Sequence, residues 1–281
     1  MTAEIISGKE IAAQVKEELK EKIAKLGNAP KLAVILVGHD DASEIYVRLK
    51  QKAAMEVGIE TELFCFEDDV RQETLEDLIQ KLNADERVNG ILIQLPLPKG
   101  FDEKKLLDMV LPVKDVDGFH PYNMGLLQNS SPDCVVAATP KGVLELINKT
   151  GVKLEGKNAL VIGRSNIVGK PMAMLLLGQD CTVTIAHSKT KDVKSLCQNA
   201  DVVVSATGCA KLVKADWVKK GAVVVDVGTC RDENGKMCGD VDFDEVKKVA
   251  SYITPVPGGV GPMTIAMLLE NTFEAYLKQH G

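Results

Sequence analysis

Two hydrophobic patterns alternate along this chain: apolar positions three to four residues apart, and short unbroken aliphatic runs. Lys9 to Leu26 puts Ile11, Val15, Leu19 and Ile23 on one stripe, which predicts a helix, and Gly27 and Pro30 punctuate its end. Leu32 to Val37 is a continuous run closed by Gly38, the signature of a buried strand. Glu44 to Val57 predicts a second helix, with Ser43 as N-cap and Gly58 as its stop. A strand over Thr61 to Phe66 follows. Thr74 to Leu82 then predicts a helix in which Thr74 and Asp77 have capping-box spacing. Gly90 to Leu95 is a strand closed by Pro96 and Pro98. Residues 112–132 have no clear period and read as a long functional loop. Pro140 to Asn148 is a helix with Thr139 as N-cap and Pro140 at its first position, and a domain boundary is placed there.

The second half repeats the alternation. Strands are predicted at Ala159 to Ile162, Thr182 to Ala186, Val202 to Ser205, Val223 to Val227 and Tyr252 to Thr254. Helices are predicted near Pro171 to Leu177, Lys191 to Cys197 and Lys214 to Lys219, with a last one from Gly261 to His280. Short strands alternating with helices imply right-handed βαβ units and a parallel sheet, an α/β fold. A chain of 281 residues suits about two such domains.

Composition narrows the picture. Aromatics make up only 4 % of the chain, so aliphatic side chains must build the core. The net charge of −6, with both signs mixed, argues against a nucleic-acid partner, which would call for a basic patch. No run of ~20 apolar residues predicts a membrane span, and the N-terminus has no signal-peptide pattern. Seven cysteines without a CxxC pair predict free thiols in a reducing cytoplasm, with no structural zinc. The four histidines lack metal-ligand spacing, so no metal is expected.

The stretch Ala159-Leu-Val-Ile-Gly-Arg-Ser-Asn-Ile-Val-Gly-Lys-Pro171 reads as strand, glycine turn and helix start. Free N–H groups and a positive dipole end suit a pyrophosphate there, with Gly163, Arg164 and Ser165 in the turn. The spacing is G-x5-G, so the same turn would also serve an ordinary strand-to-helix connection. The next strand ends in His187-Ser-Lys-Thr190, without the carboxylate that takes the ribose hydroxyls in an NAD site. Arg164, Ser188 and Lys189 offer cations and a hydroxyl to a 2′-phosphate instead, which points to NADP; a solvated loop is the other reading. Later strand ends place Thr207, Gly208 and Thr229 at the carboxyl edge, where ligands of open parallel sheets bind.

In the first half, Tyr46 and Lys50 are four apart and share a helix face. Gln94 follows a buried strand, and Asp115 and Asp117 lie in the aperiodic loop. Singly these are ordinary: a Tyr–Lys face snorkels at surfaces, and Asp-Gly makes turns. In order, however, Tyr46-Val-Arg-Leu-Lys50, Gln94-Leu-Pro-Leu-Pro98, Lys114-Asp-Val-Asp-Gly118, Gly163-Arg-Ser-Asn-Ile-Val-Gly-Lys-Pro171, His187-Ser-Lys-Thr190 and Pro255-Val-Pro-Gly-Gly-Val-Gly-Pro-Met-Thr264 span nearly the whole chain. On these motifs the chain resembles the bifunctional methylenetetrahydrofolate dehydrogenase/methenyltetrahydrofolate cyclohydrolase family.

The resemblance implies an N-terminal α/β catalytic domain (1–138 plus 265–281, the last helix crossing back) and a Rossmann-like NADP-binding domain (139–264), with a cleft between them. It implies oxidation of 5,10-methylenetetrahydrofolate by NADP+ and hydrolysis of the methenyl product to 10-formyltetrahydrofolate. Lys50 would be the main catalytic residue, positioned by Gln94. Tyr46 would stack on the folate and Asp117 would hold the pterin. Leu95 and the loop carrying Pro257, Gly258 and Gly259 would line the folate site, and the enzyme would be a homodimer. The chemistry suits the residue types. A desolvated lysine beside a cationic ligand has a lowered pKa and can act as a base, whereas arginine would stay charged. A carboxylate can accept hydrogen bonds from the donor edge of a pterin. Two other readings remain open: a nucleotide sensor without catalysis, and an NADP dehydrogenase for a small acidic substrate. Neither accounts for the full motif set.

Overall fold

The computed structural model describes residues 2–280. In chain order its first half contains β1 (Glu4–Ile5), α1 (Gly8–Ile23), β2 (Lys31–Val37), α2 (Asp41–Val57), β3 (Glu60–Phe66), α3 (Gln72–Ala84), β4 (Gly90–Ile93), α4 (Glu103–Met109), α5 (Pro121–Gln128) and α6 (Ala138–Asn148). The second half contains β5 (Asn158–Ile162), α7 (Gly169–Leu177), β6 (Thr182–Ala186), α8 (Val193–Asn199), β7 (Val202–Ser205), a 3-10 turn at Ala215–Trp217, β8 (Val223–Asp226), β9 (Cys230–Arg231), β10 (Met237–Cys238), α9 (Phe243–Val246), β11 (Tyr252–Ile253) and α10 (Val260–His280).

The chain divides into two compact units, Gln14–Ala138 with residues from Ile265 onward, and Thr139–Thr264 with residues through Ala13. In the first, β3, β2 and β4 form a parallel sheet in that order. The central strand β2 is buried almost throughout, as its Leu-Ala-Val-Ile-Leu-Val run predicts. Ile35, Ile93, Leu75, Ile79 and Leu106 form part of this unit's core. In the second unit six parallel strands lie in the order β1-β11-β8-β7-β5-β6. From β5 the chain runs outward to β6 on one side and to β7 on the other, so the strand order reverses at β5.

The first thirteen residues depart from the expected division. They belong with the second unit because β1 pairs in parallel with β11, Glu4 opposite Tyr252 and Ile5 opposite Ile253. A strand of two residues leaves no period in the sequence. The expected loop over 112–132 holds α5, whose N-cap His120 accepts the Tyr122 N–H through Nδ1 and whose first residue is Pro121. Its sequence, Pro-Tyr-Asn-Met-Gly-Leu-Leu-Gln, has no apolar stripe to announce it. Three predicted caps also move. α6 begins at Ala138, so Thr139 lies inside the helix and not at its cap. Asp40, not Ser43, caps α2, its carboxylate accepting the Ser43 N–H at 2.8 Å. α3 starts at Gln72 behind Arg71, which makes no side-chain cap.

Candidate functional site

Lys50 and Tyr46 lie one turn apart on α2. Lys50 Nζ donates to Gln94 Oε1 at 2.9 Å, and Gln94 Nε2 donates to the Leu95 carbonyl at 2.6 Å. The second bond fixes which way the amide faces: its nitrogen is committed to Leu95, so its oxygen turns to the ammonium. Gln94 is buried just past β4, which lies against β2. The sequence placed these residues in one motif set; the fold joins Lys50, Gln94 and Asp117 in one electrostatic cluster. Burial pulls the Lys50 pKa down, and the nearby Asp117 charge works against that. Burial in turn pushes the Asp117 carboxyl up to about 6; Lys50 opposes this shift and Asp115 adds to it. Each group has a perturbed proton affinity, as acid–base chemistry near neutral pH requires.

The loop carrying Asp117 is built by the residues on either side of it. Asp115 Oδ1 accepts the N–H groups of Gly118 and Phe119, and its Oδ2 accepts that of His120 and the Asn123 amide. Lys114 is buried and directs its three donors to the carbonyls of Leu82, Asn83 and Asp85, at 2.8–2.9 Å, closing the C-terminal end of α3. From α10, Asn271 Nδ2 donates to the carbonyls of Val116 and Val136. The sequence reading did not separate these scaffolding residues from Asp117.

A cavity of about 360 Å3 in the same unit, lined in part by Leu36, His39, Glu44 and Phe66, contains none of the predicted residues. Its α2 residues Glu44 and Arg48 are four apart on one helix face, offset from the face that Tyr46 and Lys50 share.

In the other unit the predicted cofactor residues all follow the carboxyl ends of strands. Gly163 ends β5 at φ 127°, and a Cβ there would stand 2.3 Å from the Ala206 carbonyl oxygen, so only glycine fits. Ser165 Oγ accepts the N–H groups of Val168 and Gly169 where α7 begins. Ile162 of β5 is in register with Ala186 of β6, so Arg164 and Ser188 each lie two residues past a paired position. Both are exposed, as is Lys189. The 187–190 turn is closed by His187 N–H donating to Thr190 Oγ1 and Lys189 N–H donating to His187 Nδ1. Thr207 and Gly208 follow β7, and exposed Thr229 follows β8. Thr207 N–H and Cys209 N–H both donate to Asp240, which the sequence reading did not single out. Past β11, the loop of Pro257, Gly258 and Gly259 is tied to the start of α1, where Lys9 N–H donates to the Gly258 carbonyl at 3.2 Å. Among the described residues no cluster of His, Cys, Asp or Glu could hold a metal ion.

Comparison with known proteins extends this geometry. Residues 6–117 match the family model for the tetrahydrofolate dehydrogenase/cyclohydrolase catalytic domain, and residues 137–280 match that for its NAD(P)-binding domain. A bifunctional FolD protein of Listeria innocua is 54% identical over 275 residues, covering 97% of this chain and 96% of that protein. The crystal structure of the bifunctional FolD enzyme of Campylobacter jejuni superposes with a TM-score of 0.96 at 48% identity, over 98% of this chain and 99% of that one. The Trypanosoma brucei FolD, solved with NADP cofactor and an inhibitor, gives 0.95 at 40% identity over 99% and 98% of the two chains. The chain therefore belongs to the tetrahydrofolate dehydrogenase/cyclohydrolase family.

Proposed function

We propose that this protein is a bifunctional one-carbon folate enzyme whose hydrolytic step is carried by the Lys50–Gln94–Asp117 cluster. It oxidises 5,10-methylenetetrahydrofolate to 5,10-methenyltetrahydrofolate with NADP+ and hydrolyses that product to 10-formyltetrahydrofolate. The observation that carries the residue assignment is the Lys50 Nζ–Gln94 Oε1 bond beside Asp117, with burial lowering the lysine's proton affinity.

The methenyl carbon is already cationic, so water attack needs proton handling more than electrophilic help. Lys50 accepts one proton of the water as the C–O bond forms. The proton left on the new hydroxyl passes to the ring nitrogen as its bond to that carbon breaks, leaving the formyl C=O. Gln94 holds the amine in place through its fixed amide. Asp117 accepts hydrogen bonds from the donor edge of the pterin, and Tyr46 stacks on the ring, with Leu95, Pro257, Gly258 and Gly259 as further substrate contacts.

Bound NADP+ supplies the hydride acceptor. The chain fits it: the Gly163 turn lets backbone come close to a ligand, and the N-terminal end of α7 suits the pyrophosphate. Arg164 and Ser188, at neighbouring strand ends, are matched to a 2′-phosphate, and Ser165, Thr207, Gly208 and Thr229 complete the cofactor contacts.

Three further assignments belong to the same reading. The folate and cofactor domains are residues 1–138 with 265–281 and residues 139–264, amended by the pairing of β1 with β11. The enzyme is a homodimer through the cofactor domain; β6 is an edge strand with Thr182, Thr184 and Ile185 exposed, a surface that can pair with a second copy. Free thiols at all seven cysteines support a reducing, cytoplasmic setting.

The test is the purified protein with 5,10-methylenetetrahydrofolate and NADP+, followed by NADPH absorbance and by decay of the methenyl product. Lys50→Met is expected to lose hydrolysis at least a hundredfold. Full hydrolytic activity in that variant would remove Lys50 from its role as the base.

A further inference from the structure

Asp226 and Asp240 are 3% and 0% exposed, at the carboxyl edge of the six-stranded sheet, and neither has a cationic partner among its hydrogen bonds. A buried carboxylate without a cation is costly unless donors surround it. Asp240 is surrounded. Its Oδ2 accepts the Thr207 N–H at 2.6 Å and the Ser205 hydroxyl at 2.9 Å, and its Oδ1 accepts the Cys209 N–H at 3.0 Å and the Cys230 thiol at 3.8 Å. Asp226 Oδ1 accepts the N–H groups of Gly228 and Asp240, both at 2.9 Å, and its Oδ2 accepts that of Val241 at 2.8 Å.

The two aspartates clamp each other's segments. A Cβ on Gly228 would stand 2.2 Å from Asp240 Oδ1, and one on Gly239 would stand 2.0 Å from Asp226 Oδ2. The backbone just after β8 therefore lies directly on the Asp240 carboxylate, and the backbone just before Asp240 lies on that of Asp226. Between them the chain makes the excursion of β9 and β10 and returns. Asp240 thus touches both strand-end loops to which the cofactor contacts Thr207, Gly208 and Thr229 belong.

We infer that Asp240 is a positioning residue for the dinucleotide: a single buried carboxylate that holds the 205–209 and 226–230 loops in the one arrangement that accepts the cofactor. The inference rests on the proposed cofactor assignment and deepens it. Asparagine has nearly the shape of aspartate but replaces one acceptor oxygen with a donor. Whichever way its amide turns, it faces a backbone N–H that has lost its acceptor, from Thr207 or from Cys209. One loop must then shift.

The experiment uses the full-length enzyme with Asp240→Asn, and measures both activities on the same preparation. Dehydrogenation is measured against NADP+ concentration; hydrolysis is measured on preformed 5,10-methenyltetrahydrofolate without cofactor. KM for NADP+ is expected to rise about tenfold while the hydrolytic rate stays within twofold of the unmutated enzyme. Gly228→Ala approaches from the other side, displacing the carboxylate with Asp240 intact, and is expected to give the same selective loss. It keeps the inference testable if Asp240→Asn does not fold. An unchanged KM for NADP+ in either folded variant overturns the inference. So does a loss of both activities in equal proportion, which would make Asp240 a general support of the fold. Absence of NADP+ reduction by the unmutated enzyme would instead overturn the cofactor assignment itself.

Discussion

At the scale of single residues, Lys114-Asp-Val-Asp-Gly118 shows how three neighbouring charges divide the work. Lys114 closes the end of α3 and Asp115 gathers four donors of its own loop, so both are consumed by architecture. Asp117, two residues further on, is left to act on Lys50. The Asp117 charge raises the Lys50 pKa against the lowering effect of burial. Removing the charge lets burial act unopposed. In Asp117→Asn the acidic limb of the hydrolytic pH profile, where protonation removes Lys50 as the base, read as kcat/KM for the methenyl substrate, is therefore expected to move to lower pH as the profile also loses amplitude. A limb that stays in place or moves upward would contradict the coupling. Lys114→Met keeps the length of the stem but leaves three buried carbonyls without their donor. It is expected to destabilise the protein by about 2–4 kcal/mol in urea unfolding, with Lys50 chemistry intact in the folded fraction. The sequence offered Lys114, Asp115 and Asp117 as one motif. Their different fates follow from which carbonyls and amides come near, which the linear order does not record.

At the scale of elements, strand positions were the most legible feature. β7 has the ends the sequence predicts, because a parallel strand buried on both faces must be an aliphatic run, and the exposed edge strand β6 has them too. Elements without a period, β1, α4, α5 and the β9–β10 ribbon, left no such trace. The meeting of Lys50 and Gln94 was legible only as membership of a motif set. They are 44 residues apart, and what joins them is the parallel pairing of β2 with β4 and the return of α2 beside β2. Asp240 was missed for a related reason: a lone Asp at the end of a short ribbon reads as a turn, and only its burial marks it. α10 shows how a distant element can govern a site loop. Asn271 holds the carbonyl of Val116, next to Asp117, while Gln279 donates to the Asn89 carbonyl and Lys278 to that of Asp133. Asn271→Leu removes both amide bonds, to Val116 in the loop and to Val136 before α6, at similar volume. It is expected to cost about 2 kcal/mol in stability and to raise KM for the folate severalfold, since the backbone preceding Asp117 loses its tether. Stability lost with folate KM unchanged would show that the Asp115 donors alone fix the loop.

At the scale of the whole molecule, the direction of each carboxyl shift sets how stability depends on pH. Several carboxylates, Asp40, Asp201 and Asp244 among them, are held below the ordinary range, so their contribution is lost only as the pH falls into the acid range. Above about pH 5 they are ionised in both folded and unfolded chains and add little slope. Asp117 and Asp226 behave in the opposite way. Burial pushes them up to about 6 and about 7, from an ordinary value of 3.8, with Asp240 adding to the shift of Asp226. Between 3.8 and those values the folded chain holds protons that the unfolded chain has released. Their contribution is thus complete below about pH 4 and is lost as the pH rises through about 6 and 7, on the order of 3 kcal/mol for Asp117 and about 4 kcal/mol for Asp226 at about 1.4 kcal/mol per pH unit. His39, exposed between Glu67 and Glu44, is shifted upward and acts in the same direction. The melting temperature is therefore expected to be highest near pH 5 and to fall steadily toward pH 8. Asp226→Asn carries no titrating group there, so its melting curve against pH should keep only the part due to Asp117 and His39, about half the slope. Thermal unfolding of both proteins across pH 5 to 8 at one ionic strength measures this. A melting temperature that rises over that range, or a slope untouched by Asp226→Asn, would mean that the folded chain ionises these buried carboxyls without difficulty.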